Sequence, residues 1–136
     1  MRATKILQQI LTGFLSEIHK ARLSSVFWAV HSLLIGGRLA LTAIGRSARG
    51  ETYPKHCIKR VDRLLGNKLL HKERDYFYRA IARMMIGARK RPLVIIDWTG
   101  IGKKHSALVA AVPIDGRSIP IYCRVYSIKK NNNPVI

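Results

Sequence analysis

The stretch that decides the fold is RKRPLVIIDWTG, residues 89–100, because the hydrophobic pattern of the chain changes there. Up to this point apolar residues recur with helical spacing, and after it they form short runs rich in β-branched residues, which are typical of strands. Three such runs follow one another: Leu93–Ile96, Ala107–Val112 and Ile119–Ile128. The pair Asp115-Gly116 between the last two predicts a hairpin turn.

The residues before this stretch predict five helices from their periodicity and their start and stop signals. Pro54 is a favoured first helical residue, and the glycines at 36–37 and 66 are typical of helix ends. The predicted helices cover Ile6–Ile18, Ser24 or Ser25 to Gly36, Thr42–Arg46, Pro54–Gly66 and Lys72–Ile86. We therefore predict an α+β protein with a helical domain at residues 1–90 and a strand domain at residues 91–136.

The charge, the cysteines and the longest uncharged stretch of the chain together indicate which classes of protein to expect and which to exclude. Its 136 residues hold 25 Lys and Arg against 7 Asp and Glu, a net charge of +18 that favours a polyanionic partner. Two isolated cysteines, Cys57 and Cys123, argue against a disulfide-stapled secreted domain. The uncharged stretch Leu23–Gly37 is shorter than the roughly 18–20 residues that span a bilayer. We expect a cytoplasmic, nucleoid-associated protein without a membrane partner.

The basic residues are concentrated in the middle third of the sequence, at residues 46–91, which hold 14 basic and 4 acidic groups. Within it, a helix over Pro54–Leu65 would place Lys55, Lys59 and Arg63 on one face and Ile58, Val61 and Leu65 on another. The apolar face can pack on the short helix before it, as in a helix-turn-helix unit whose second helix enters the major groove. The residues expected to contact DNA are Arg46, Lys55, His56, Lys59, Arg60 and Arg63.

Three segments together resemble a known family: LALTAIGRSARGETYPKHCIKRVDRLLGNKLLHKER, PLVIIDWTGI and GRSIPIYCRVY. They are similar to the N-terminal part of bacterial insertion-sequence transposases of the DDE type, the cut-and-paste group with a ribonuclease-H-like catalytic domain. The resemblance implies that residues 1–90 bind the terminal inverted repeats of the element. It also implies that residues 91–136 begin the catalytic domain with the first three strands of its sheet.

The resemblance further implies that Asp97 is the first carboxylate of the Asp-Asp-Glu triad and a ligand of Mg²⁺. A carboxylate held just after a buried strand suits such a hard cation. The alternative is that Asp97 caps a turn with Thr99 and Gly100. The sequence departs from the family because no second strand-borne Asp and no helix-borne Glu follow. We therefore expect a truncated transposase, with an incomplete and inactive catalytic domain and with Mg²⁺ bound weakly or not at all.

Three functions remain open at this point. The first is DNA transposition by a transposase that binds element ends as double-stranded DNA, as a homo-oligomer or in a mixed oligomer with the full-length enzyme. The second is a non-enzymatic DNA-binding module that represses the intact transposase. The third is a small basic RNA-binding or ribosomal protein, although the sequence carries no RNA-recognition signature such as a GXXG loop.

Overall fold

A computed structural model describes residues 2–48 and 53–130. The described residues form five α-helices followed by a three-stranded antiparallel sheet, so the predicted α+β class is confirmed. The chain divides into two compact units, a helical unit at Met1–Tyr76 and a sheet unit at Phe77–Ile136. Most of the predicted connection at Ser47–Tyr53, and the C-terminal tail Asn131–Ile136, lie outside the described residues.

The helices begin and end largely at local signals in the sequence. Gly37 ends the second helix in the left-handed region, with φ +63°, and its N–H donates to the carbonyl of Leu33 at 2.8 Å. Pro54 opens the fourth helix, and Gly66 follows its last residue. The bounds are α1 Arg2–Phe14, α2 Lys20–Gly36, α3 Leu41–Ser47, α4 Pro54–Leu65 and α5 Lys68–Ile86.

Two helices begin four residues before their predicted starts, because their caps are different residues. His19 caps α2, where its Nδ1 accepts the N–H of Ala21 at 3.3 Å, whereas Ser25 lies inside the helix and donates to the Ala21 carbonyl. Asn67 caps α5, since its Oδ1 accepts the N–H groups of the two residues at positions 69 and 70 at 3.0 and 3.1 Å. Asn67, directly after the predicted end of the fourth helix at Gly66, therefore begins the next helix.

The core of the helical unit is built where α2, α3 and α4 pack together. Val61 of α4 is almost fully buried, as is Leu15, which follows α1, and Phe27 of α2 is buried too. Gly45 of α3 makes a close contact with α4, because a Cβ at this position would stand 2.6 Å from the Cα of Ile58. The lack of a side chain at Gly45 therefore lets these two helices approach each other closely.

An ion pair ties α2 to the first part of α5 inside the helical unit. Arg22 Nε donates to Glu73 Oε2 at 2.8 Å, and Arg22 Nη2 donates to Glu73 Oε1. The two side chains are 23% and 13% exposed, so the pair is mostly shielded from water. The hydrogen bonds from Arg22 lower the pKa of Glu73 below its ordinary value of 4.5, and they raise the pKa of Arg22 in turn.

The sheet unit is a meander with the strand order β1-β2-β3. Its strands are β1 Ile95–Ile101, β2 His105–Ile114 and β3 Arg117–Ser127. Asp115 and Gly116 join β2 to β3 with φ values of +48° and +74°, which confirms the predicted hairpin turn. A bulge in the pairing lies at Ala110/Ala111 of β2.

The first strand differs from its prediction in both position and burial. The predicted run Leu93–Ile96 covers only the start of β1, and Asp97 is the third residue of the strand, paired with Val109, instead of the residue that follows it. Every residue of β1 except Trp98 is exposed. The prediction of a buried strand was therefore wrong: β1 is an edge strand that packs mainly against β2, and its side chains are left open to solvent.

No single helix within residues 2–48 and 53–130 is both long and apolar enough to cross a membrane. Helices α2 and α3 meet the length and composition test when they are taken together, but the pair is bent by 91° at the break between them.

The close contact at Gly45 can be tested by substitution. Gly45→Ala places a Cβ against the backbone of Ile58, so we expect the free energy of unfolding to fall by about 1–3 kcal/mol, as for an overpacked core. Gly13→Ala is the matched control, because no atom lies within 4 Å of a Cβ there. Urea denaturation followed by circular dichroism measures both. Equal stability of the two variants would contradict the tight α3–α4 contact.

The ion pair makes a prediction about pH. Because the folded-state pKa of Glu73 is lower than its unfolded value, its contribution to stability is present above about pH 4.5 and is lost as the pH falls through the folded pKa. We expect Glu73→Gln to lower the unfolding midpoint at pH 7 and to match the parent chain at strongly acidic pH. Asp75→Asn, the exposed acid two residues further on, controls for net charge. A pH-independent difference would contradict the assignment.

Candidate nucleic-acid interface

The exposed side of α4 is a continuous strip of basic side chains. At about 100° per residue, these side chains span roughly 140° around the helix axis. All of them are exposed, and we call this strip the basic arc: Lys55, His56, Lys59, Arg60 and Arg63. The side of α4 opposite the arc is buried at Cys57 and Val61. The helix therefore turns its cations outward because its two most buried residues hold the other side in the core.

The buried face of α4 consists partly of other residues than the sequence predicts. Val61 is 1% exposed and Ile58 is half-buried against Gly45, as the apolar pattern predicted. Leu65, predicted to share that face, is 56% exposed, whereas Cys57 is buried. Cys57 and Val61 are the buried residues of α4, and Leu65 is its last residue, at the exposed end of the helix.

Arg60 of the basic arc makes a cation–π contact with an aromatic ring of another helix. Its guanidinium carbon lies 4.2 Å from the ring centroid of Trp28 in α2, which is a cation–π distance. The ring holds the guanidinium in place while the residue as a whole remains exposed. The sequence pattern did not indicate Trp28, because the two residues are far apart in the chain and no local spacing joins them.

A shallow concavity of about 470 Å³ runs beside Arg60 in the helical unit. Two further members of the basic arc, His56 and Arg63, line it. Its other lining residues were not predicted as site residues: Ser25, Leu64 and Asn67. The concavity thus joins cationic groups to polar groups that can donate or accept hydrogen bonds, a combination that suits phosphate and sugar oxygens.

The start of α4 adds two features to the same surface. Tyr53, the N-cap residue, makes no side-chain capping bond and is 72% exposed, and its ring meets that of His56 edge-on at 6.4 Å. The first turn carries no acidic residue, so the positive end of the helix dipole is not offset there. Arg46, the remaining predicted contact residue, lies exposed in the last turn of α3.

Asp97 lies in the sheet unit, on the exposed β1 strand. Within the described part of the chain, no three His, Cys, Asp or Glu side chains are grouped so that they could hold a metal ion. Mg²⁺ takes near-octahedral oxygen ligands, and a two-metal centre needs several convergent carboxylates. The described residues around Asp97 therefore do not fit the Mg²⁺ site that the family resemblance implies.

Comparison with protein-family models, with curated proteins and with solved structures found no match for this chain.

Proposed function

We propose that the chain binds double-stranded DNA through the helical unit, with α4 in the major groove and the basic arc against phosphates and base edges. The observation that carries the proposal is the burial pattern of α4. Five exposed basic side chains lie on one side, and the buried Cys57 and Val61 fix the other side. An α-helix together with its side chains is about 10–12 Å in diameter, and the major groove is about 12 Å wide, so the helix fits into it.

The members of the arc are suited to different contacts. Lys55 and Lys59 are flexible point charges that can neutralise phosphates without a fixed geometry. Arg60 is oriented by the Trp28 ring, so its planar guanidinium is held ready for a bidentate contact with guanine or phosphate. We assign Arg60 the more specific contact and the lysines the positioning contacts.

The element ends of an insertion sequence are the DNA that we propose as the target. The support is the family resemblance, in which the segment PKHCIKRVDRLLGN coincides with α4 and the residues directly after it. In this proposal the chain acts in DNA transposition as part of a DDE-type transposase, and the sheet unit corresponds to the start of a ribonuclease-H-like catalytic domain.

The second candidate is a non-enzymatic DNA-binding module that occupies element ends and represses the intact transposase, as a homo-oligomer or in mixed oligomers. The observation that favours it is the setting of Asp97, which has no grouped carboxylates around it in the described part of the chain. Both candidates require the same DNA interface. They differ in whether the chain cleaves DNA, which the second experiment below measures.

The salt dependence of binding tests the DNA interface. If about 6–8 cations between Arg46 and Arg91 contact phosphates, the logarithm of the association constant should fall against the logarithm of salt concentration with a slope of about −5 to −7. Lys59→Ala should reduce the steepness of that slope by about 1. Lys103→Ala, an equal charge change in the turn between β1 and β2, should leave the slope unchanged. A parent slope shallower than about −2, or tighter binding to an RNA duplex, would contradict the proposal.

The role of Asp97 is tested by cleavage and binding assays on the same DNA. A single carboxylate holds Mg²⁺ weakly and provides no partner ion, so we expect the 136-residue chain to bind DNA without nicking or joining it in Mg²⁺ or Mn²⁺. We expect Asp97→Ala to bind DNA with unchanged affinity. Metal-dependent cleavage that is abolished by Asp97→Ala would favour the active transposase, with the missing carboxylates supplied by an oligomer.

A further inference from the structure

One face of the sheet unit carries an alternation of tyrosine and arginine. Tyr122, Arg124 and Tyr126 are every second residue of β3, and successive side chains of a strand point to opposite faces, so these three share one face. Trp98 of β1 is on the same face, because it pairs with Leu108, which pairs in turn with Arg124. We call these four residues, Trp98, Tyr122, Arg124 and Tyr126, the aromatic face.

The rings of the aromatic face are ordered by contacts with one another and with α5. Trp98 and Tyr126 meet edge-on, with ring centroids 5.7 Å apart and an interplanar angle of 63°. The buried Ser106 lies opposite Tyr126 on β2, and this small residue leaves room for the two rings above it. Tyr122 meets Tyr78 at 6.0 Å. The three rings of the face are half-buried, so part of each ring surface is open to a ligand.

Arg124 is the exposed cation between these rings. Interaction with the neighbouring tyrosines, first of all a hydrogen bond to Tyr122 and then the charge interaction with Tyr122 and Tyr126, raises the pKa of Arg124. Arg124 therefore lies between two tyrosines of the same face of β3. Tyr122 and Tyr126 are four residues apart, about 13 Å along the strand, and Arg124 is the strand residue midway between them.

The charge around the aromatic face favours an anionic ligand. The sheet unit carries 11 basic and 2 acidic residues. One acid, Asp97, alternates with Trp98 along β1 and lies on the opposite face, and the other, Asp115, lies in the hairpin turn. No described strand residue on the aromatic face is acidic, and the register places Arg117 on this face together with Arg124. Two copies stacked face to face would bring these arginines together, so a polyanion is the better-matched occupant.

We propose that the aromatic face binds single-stranded nucleic acid, with bases stacked on Trp98, Tyr122 and Tyr126 and with Arg124 on a backbone phosphate. A duplex keeps its bases stacked inside, whereas a single strand can lay them on exposed rings. Along β3, two rings are separated by a cation. This order matches the alternation of bases and phosphates along a single strand of nucleic acid. This interface is separate from the basic arc on α4 and does not depend on it.

The fluorescence of Trp98 provides a direct readout. In the full chain carrying Trp28→Phe, Trp98 is the single remaining tryptophan, and stacking of bases should quench its emission. We expect a single-stranded oligothymidylate of 12 nucleotides to quench this emission at saturation. Tyr126→Leu keeps an apolar side chain but removes the ring, and it should weaken binding at least fivefold, whereas Tyr126→Phe should bind within about twofold of the parent, since it keeps the ring.

Two matched variants separate this face from other surfaces. Val125→Ala changes the neighbouring residue on the opposite face of β3, where Val125 is 48% exposed, and should bind as the parent does. Lys59→Ala, on α4, should leave the Trp98 quenching constant unchanged even where it weakens duplex binding. Circular dichroism confirms that each variant is folded.

Three results would overturn the proposal. The first is the absence of Trp98 quenching in the folded Trp28→Phe chain at any oligonucleotide concentration. The second is a Tyr126→Leu variant that binds the oligonucleotide with parent affinity while Lys59→Ala loses binding. That result would place the single-stranded nucleic acid on α4. The third is concentration-dependent self-association that is removed by Tyr126→Leu and competes with the oligonucleotide, because a second copy would then be the occupant. None of these results would alter the outcome of the duplex-binding experiment.

Discussion

The approach of α3 to α4 at Gly45 is the constraint on which the candidate DNA interface depends. With no Cβ at this position, the backbone of Ile58 can lie directly against α3. This contact sets the rotation of α4 about its own axis, so Cys57 and Val61 enter the core and the basic arc faces outward. Gly36, the last residue of α2, lies close to α3, because a Cβ there would stand 2.3 Å from the hydroxyl oxygen of Ser47. Gly45 therefore positions the cations that the proposed function uses.

The same helical unit has little internal means of balancing its charge. The ion pair between Arg22 and Glu73 is the one salt bridge found within residues 2–48 and 53–130, and it lies away from the basic arc in the sequence, between α2 and α5. Most of the described cations of the unit are exposed, and their mutual repulsion opposes the compact state. Binding to a polyanion relieves that repulsion and replaces it with phosphate contacts. A fold with this charge balance is therefore expected to be more stable on DNA than free in solution.

Local signals in the sequence predicted much of this fold, and tertiary contacts account for the rest. Pro54, Gly37 and the Asp115-Gly116 turn act through their own backbone preferences, so they were readable without knowledge of the fold. The caps at His19 and Asn67 were missed because histidine is an unusual cap and asparagine also ends helices. The exposure of β1 follows from its edge position, which apolar composition does not report. The contact of Arg60 with Trp28 joins distant parts of the chain and has no signal in either segment.

The two proposed surfaces differ in the physics by which they would hold nucleic acid. The basic arc consists of cations around a helix, and contacts with phosphates release counterions, so its affinity should depend steeply on salt. The aromatic face has one central cation and three rings, and stacking on rings depends on the base surface that is open to them. Phosphates are present in duplex and single strand alike, whereas open base surface is present only in the single strand. A chain with both surfaces would therefore distinguish the two forms of nucleic acid through its sheet unit, and rising salt would shift its preference towards the single strand.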